Sequence, residues 1–273
     1  MARITVAYFL DEHLPGLDLA LPGTIAVTAG PIGGTGWAAV LPVCESVAAV
    51  VAQTVVGGER PVVLSGDCIT ALGTVAGLQR AGLDPGIVWL DAHGDVQTME
   101  TTTSGFLGGM PLRILVGYRP DLIAVPLGLR AVAEERVVLV DARDLDPPEV
   151  DYLRQAQIVR TTVDDLSATG LPEGPLYVHI DLDVVDPVDL AGLRYPAPHG
   201  PSLTAVCRAV GALLGTGNVV AVGIACTWYP DVTVEDRVRA ELESMLTAFA
   251  ESTNSSQPGV PADLPRHAAG PGG

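Results

Sequence analysis

The sequence predicts an α/β fold of three layers, a central and mostly parallel sheet covered by helices on both faces. Short apolar runs rich in Val and Ile alternate with stretches of helical pattern, the order that parallel strands need for their crossovers. Two acidic runs, Asp91-Ala92-His93-Gly94-Asp95 and Asp181-Leu182-Asp183-Val184-Val185-Asp186-Pro187, each follow one of these apolar runs. Open α/β sheets bind ligands beyond the carboxyl ends of their strands, and both runs fall there. With 273 residues, 48% of them apolar, the chain can bury a substantial core. One domain over 1–251 accommodates every element.

The elements follow in order. A strand over 3–9 opens the chain. Residues 24–44 carry no charge and are long enough to raise the question of a membrane span. Their centre, Gly30-Pro31-Ile32-Gly33-Gly34, reads as loop and argues against one. A helix over 43–56 leads to a strand over 61–65, which ends in Ser65-Gly66-Asp67-Cys68. A helix over 71–80 and a strand over 86–91 bring the chain to the first acidic run. Strands over 136–140 and 157–161 flank a helix over 147–155, with Asp146 placed as its cap and Pro147 in its first turn. The strand over 175–181 carries the second acidic run. A helix over 203–214, a strand over 218–224 and a helix over 234–250 complete the pattern. Residues 252–273 are rich in Ser, Pro and Gly and are expected to form a disordered tail.

A formal net charge of −17 argues against nucleic acid and anionic membrane as partners. All fifteen basic residues are Arg, which reads as codon bias in a GC-rich genome. Cys44, Cys68, Cys207 and Cys226 are widely separated, so a disulfide framework is not expected and a reducing cytoplasm is. The N-terminus meets Asp11 and Glu12 early and reads as a first strand, not a signal peptide.

In an extended segment, residues i, i+2 and i+4 point the same way. Asp91, His93 and Asp95 would then converge on one spot, and Asp181 and Asp183 would meet them from the second strand. Four carboxylates and an imidazole repel one another unless cations lie between them. The economical reading is a carboxylate-rich site for two metal ions. Either run alone also reads as a helix cap or turn former. Their matched positions at strand ends favour the site.

Asp-Ala-His-x-Asp followed by Asp-x-Asp-x-x-Asp-Pro resembles the arginase (ureohydrolase) family. Val62-Val63-Leu64-Ser65-Gly66-Asp67-Cys68 resembles that family's strand ending in Gly-Gly-Asp-His, with Cys68 where the family has a metal-binding histidine. The resemblance runs from about residue 60 to 230 and implies an arginase-like fold with two Mn(II) ions per chain. It implies that Asp91 and Asp181 bridge the ions, Cys68 and Asp95 complete one site, and His93 and Asp183 complete the other. It further implies a metal-activated water as nucleophile, oriented by Asp95, with Asp91, Asp95 and Asp181 as the catalytic carboxylates. Cys68 has two readings, a soft thiolate ligand or a small buried hydrophobe. His179 reads as a core or supporting histidine rather than a ligand, and of the remaining histidines only His199 is placed to approach a pocket.

The substrate follows from the same resemblance. Thr101-Thr102-Thr103-Ser104-Gly105 is similar to the arginase loop that holds an amino acid's carboxylate, with Ser104 and Gln97 in the binding positions. Arg143-Asp144-Leu145-Asp146-Pro147-Pro148-Glu149 is similar to the segment facing the α-ammonium, with Asp146 and Glu149 in place. The reactive end departs: Gly108 stands where arginases have a histidine near the leaving amine, and Thr227 about where they have a glutamate for the guanidinium. The amino-acid handle is retained while the guanidino end changes. The expectation is therefore a binuclear-metal amidinohydrolase that takes a small guanidino amino acid, Nω-hydroxy-L-arginine, to L-ornithine and hydroxyurea. The chain resembles the hydroxyarginine-hydrolysing branch associated with bacterial antibiotic pathways such as D-cycloserine formation. A conventional arginase and a catalytically silent, ligand-binding subunit are the alternatives, and a homo-oligomer stays open.

Overall fold

The computed structural model describes residues 1–166 and 170–252. Ten strands run in order: β1 (Ala2–Val6), β2 (Tyr8–Phe9), β3 (Glu12–His13), β4 (Ile25–Ala26), β5 (Pro61–Ser65), β6 (Gly86–Leu90), β7 (Val137–Val140), β8 (Val159–Thr161), β9 (Leu176–Asp181) and β10 (Val219–Ala225). Between and after them lie α1 (Trp37–Val56), α2 (Thr70–Arg80), α3 (Pro111–Leu115), α4 (Ala124–Leu127), α5 (Pro147–Gln155), α6 (Leu203–Leu214) and α7 (Asp236–Glu251). Eight strands form one sheet in the order β4-β1-β5-β10-β9-β6-β7-β8. Every pairing in it is parallel; β2 and β3 form a separate antiparallel hairpin.

Strand alternation divides the interior into two layers. Ile4, Val63, Ile87, Trp89, Leu139 and Tyr177 face one core with α1 and α2. Their neighbours Val62, Leu64, Val88, Leu90, Val140, Val178 and Ile180 face the other, with α6 and α7. Both faces of the sheet are thus dry, which is why its strands read as continuous apolar runs instead of alternating ones. On the first face α1 and α2 pack closely through Gly73 and Gly77. A Cβ at either would press on the carbonyl of Cys44 or Ala48.

Three differences from the sequence reading have local causes. The 3–9 segment breaks at Ala7, so β1 joins the sheet and β2 turns into the hairpin. The helix expected over 43–56 starts at Trp37, with Pro42 inside its second turn. Proline there removes an N–H near a helix start, while Trp37, Ala39 and Val40 bury the extra turn. This helix is apolar enough by composition to cross a membrane, but its Val40, Val43, Val47 and Val51 pack into the core. The tail expected over 252–273 lies, beyond Ser252, outside the described residues.

Candidate metal centre

The chain lays down β1 with β4 on one side and β5 on the other, crosses to β6 and winds outward through β7 and β8, and β9 and β10 return to fill the middle. The four central strands, β5, β10, β9 and β6, therefore end side by side. Ser65 pairs with Ala225, Ala225 with Asp181, and Ile180 with Leu90, so their ends are level. A crevice opens there, at a topological switch point.

Three of these strands end with the same device. Asp67 Oδ1 accepts from the amide of Ile69 at 2.9 Å, Asp91 Oδ1 from that of His93 at 2.7 Å, and Asp181 Oδ1 from that of Asp183 at 3.0 Å. These Asx turns curl the chain back over the strand ends. Strand alternation alone predicts that Asp91, His93 and Asp95 converge, but β6 stops at Leu90 and Asp95 is left-handed, with φ +53°. The turn, not the strand, produces their convergence.

The turns bring together two groups of candidate ligands with Asp91 in common. Cys68, Asp91 and Asp181 form one, and Asp91, His93 and Asp183 the other. Within each group the ligand atoms lie within 4.8 Å of one another. Cys68 Sγ donates to Asp181 Oδ2 at 3.0 Å, and His93 Nδ1 lies 3.2 Å from Asp183 Oδ2 and 3.4 Å from Asp91 Oδ1. Asp91 Oδ2 also accepts from the indole N–H of Trp89 at 3.0 Å. Asp95 joins neither group, although it is buried at the same place and its Oδ2 has no hydrogen-bond partner among the described residues. His179 joins neither: it stacks on Trp89 at 3.8 Å, and its Nδ1 lies 3.0 Å from the Tyr177 hydroxyl.

The electrostatics are those of buried carboxylates crowded against one another. Burial, reinforced by Asp91 and Asp181, pushes the Asp95 carboxyl well above the usual range. Burial does the same to Asp181, with Asp183 and Asp91 adding to it, and takes Asp183 to about 6 with the help of Asp91. Burial opposes charge on His93, but hydrogen bonds to Asp183 and Asp91 outweigh it and raise the ring to about 12. The Cys68 thiol is held well up by burial and by Asp181, Asp95 and Asp91. An unpartnered buried carboxylate oxygen beside five further donors, Cys68, Asp91, His93, Asp181 and Asp183, fits a divalent cation set better than a proton network.

Above this floor lies a cavity of about 360 Å³. Ten of the eleven residues singled out from the sequence line it: Cys68, His93, Asp95, Asp181, Asp183, Gln97, Ser104, Asp146, Glu149 and Thr227. Asp91, 1% exposed, does not reach its surface. At the amino-acid end, Gln97 Nε2 donates to Asp146 Oδ2 at 2.7 Å, and Thr101 Oγ1 donates to Gln97 Oε1 at 2.8 Å. Glu149 is turned toward backbone, accepting from the amides of Val96 and Asp146 at 3.2 and 3.1 Å. That gives α5 its N-terminal cap and ties it to the 91–97 turn. The Thr227 hydroxyl donates to Asp181 Oδ1 at 2.6 Å, so it serves a candidate ligand before any bound molecule. His199 does not line the cavity.

Sequence reading missed one side of the pocket. Phe9, Phe106 and Tyr195 line it, from the β2–β3 hairpin, the loop after Ser104 and the loop after β9. Nothing in a linear sequence marks isolated aromatics from three loops as one wall. Asp67 was quoted only for its motif; it lines the cavity too, and the repeated strand-then-Asp pattern was the signal for it.

A family model described as the arginase family matches residues 5–237. The chain belongs to the arginase family. It is 36% identical over 170 residues to the arginase of Bacillus caldovelox, a stretch covering 57% of this chain and 57% of that protein. It is 33% identical over 172 residues to the arginase of Brevibacillus brevis, covering 58% of each. The matched stretches thus span less than two thirds of these curated relatives. Among solved structures, native Bacillus caldovelox arginase superposes with a TM-score of 0.77 at 24% identity, over 93% of this chain and 99% of that one. The agmatine ureohydrolase of Thermoplasma volcanium gives 0.62 at 17%, over 90% and 87%. At those identities the superpositions show the arginase-like α/β fold.

Proposed function

We propose that this arginase-family chain is a binuclear-metal amidinohydrolase that converts Nω-hydroxy-L-arginine and water to L-ornithine and hydroxyurea. The observation that carries it is a single cavity with two distinct ends. Two ligand groups sharing Asp91 form its floor, and a polar amino-acid handle forms one wall. Its guanidino end has neither an imidazole at Gly108 nor a carboxylate at Thr227. An N-hydroxyguanidine is less basic than a guanidine and needs less help from an anionic partner.

Cys68, Asp91 and Asp181 would hold one metal ion and Asp91, His93 and Asp183 the other, with Mn(II) suited to the oxygen-rich donors. Bound there, the ions supply Lewis acidity and bring the pKa of water toward neutrality. Asp95, with an oxygen free, would accept the hydrogen bond of the attacking water and orient it. Asp146 and the Gln97 amide orient the amino-acid end, while Glu149 fixes the turn that carries both His93 and Gln97. The relatives named arginases favour a second reading, hydrolysis of L-arginine to L-ornithine and urea.

The test is ornithine release from each amino acid by metal-loaded protein, before and after chelation. Release from the hydroxylated substrate, lost on chelation and restored by Mn(II), is expected. No release from either would leave a silent, ligand-binding member of the family. Cys68 can be tested on the same samples. Cys68→Ser should lower Mn occupancy at least about tenfold in affinity, as even supports outside the ligand set cost 10–100-fold. Cys68→His should tighten it, since a neutral imidazole needs no proton removed from a buried thiol. Unchanged metal content in the serine variant would make Cys68 a packing residue.

A further inference from the structure

We infer, on the reading proposed above, that Phe106 is the specificity-determining residue of the pocket and selects ligands whose guanidino end is weakly basic. The ring of Phe106 fills the space beside Gly108: a Cβ added at 108 would overlap it. Phe106 thus occupies the space that a side chain at 108 would need and presents an apolar face there. Phe106 is held by two further rings. Phe9 stacks with it at 6.0 Å between centroids, with planes 19° apart, and Tyr195 lies at 5.2 Å. Tyr195 in turn meets the edge of His93 at 6.5 Å, which brings the wall up against the candidate metal groups.

An aromatic wall by itself attracts cations. Here one ring of the wall, Phe9, is already engaged. The guanidinium of Arg194 sits 3.9 Å from the Phe9 centroid and 5.0 Å from that of Tyr229, anchored by its Nε to the Trp228 carbonyl at 2.9 Å. A fixed positive charge thus stands against Phe9, the ring that supports Phe106. Asp67, which lines the same pocket, has both oxygens occupied by the amides of Leu10 and Ile69. A permanently cationic guanidinium held against Phe106 meets an apolar ring backed by a neighbouring Arg, and gives up hydration on that side with no carboxylate supplied by the aromatic wall itself. A guanidino group that can shed its proton avoids that loss.

The experiment compares kcat/KM for Nω-hydroxy-L-arginine and L-arginine in Mn-loaded wild type, Phe106→Ala and Phe106→Leu, with metal content and Tm recorded for each. Phe106→Ala should shrink the wild-type preference about tenfold, chiefly through KM, the scale on which an apolar pocket discriminates. Phe106→Leu, still apolar, should keep most of the preference. Adding Gly108→His to Phe106→Ala, where the imidazole has room, should shift the ratio further toward arginine. Parallel losses on both substrates, with the ratio unchanged, would make Phe106 structural and overturn the inference while leaving the proposed activity standing. A wild type that does not favour the hydroxylated substrate would overturn the proposed activity and the wall's selective role together.

Discussion

Asp91→Asn is expected to strip both metal ions from the protein and to abolish turnover. Asp91 is the residue common to the two candidate ligand groups, so its loss touches both. The carboxamide has no charge, and its one oxygen cannot accept from both the Trp89 N–H and the His93 amide as the two carboxylate oxygens do. Leaving one buried donor unpaired costs about 1–3 kcal/mol. Losing the shared ligand should lower metal affinity by well over the roughly 10–100-fold that supporting residues command. The metal-free fold should survive, because removing one of several crowded carboxylates relieves repulsion. Elemental analysis of the variant beside the wild type decides the point. A fully loaded Asp91→Asn protein would remove Asp91 from its bridging place.

Agmatine should be a very poor substrate. It lacks the α-carboxylate, so the hydroxyls of Thr102 and Ser104 that line the cavity would lose a partner. Each abandoned polar group loses about 1–3 kcal/mol, so two of them make on the order of a hundredfold or more in kcat/KM. L-Arginine keeps that handle and fails at the other end, where Gly108 and Thr227 offer its guanidinium nothing anionic. Steady-state kinetics on the three compounds should therefore rank Nω-hydroxy-L-arginine first, arginine second and agmatine far behind. Agmatine in first place would contradict the assignment of the amino-acid handle.

The parallel sheet and its long helices could be read from sequence because burial on both faces leaves unbroken apolar strands such as Gly86–Leu90 and Val219–Ala225. The site residues could be read because Asp91, His93, Asp95, Asp181 and Asp183 lie in two short runs, each set by one turn. What could not be read depends on chain segments far apart. The split of the first strand at Ala7 is visible only once the hairpin docks and Asp67 receives the Leu10 amide. The bond from Thr227 to Asp181 joins strands that are neighbours only because β9 and β10 return to the middle of the sheet. The meeting of Phe9, Phe106 and Tyr195 needs three loops in place. Glu149 shows the same limit in reverse: sequence placed it at the substrate, and packing turns both its oxygens to backbone amides as well.

The most direct measurement is competition. Metal-loaded protein given equimolar Nω-hydroxy-L-arginine and L-arginine partitions its turnover by the ratio of kcat/KM, and the two by-products differ. Hydroxyurea should exceed urea at least about tenfold at low conversion, matching the expected discrimination at the guanidino end. Urea equal to or above hydroxyurea would contradict the account and leave a conventional arginase with an unusual pocket.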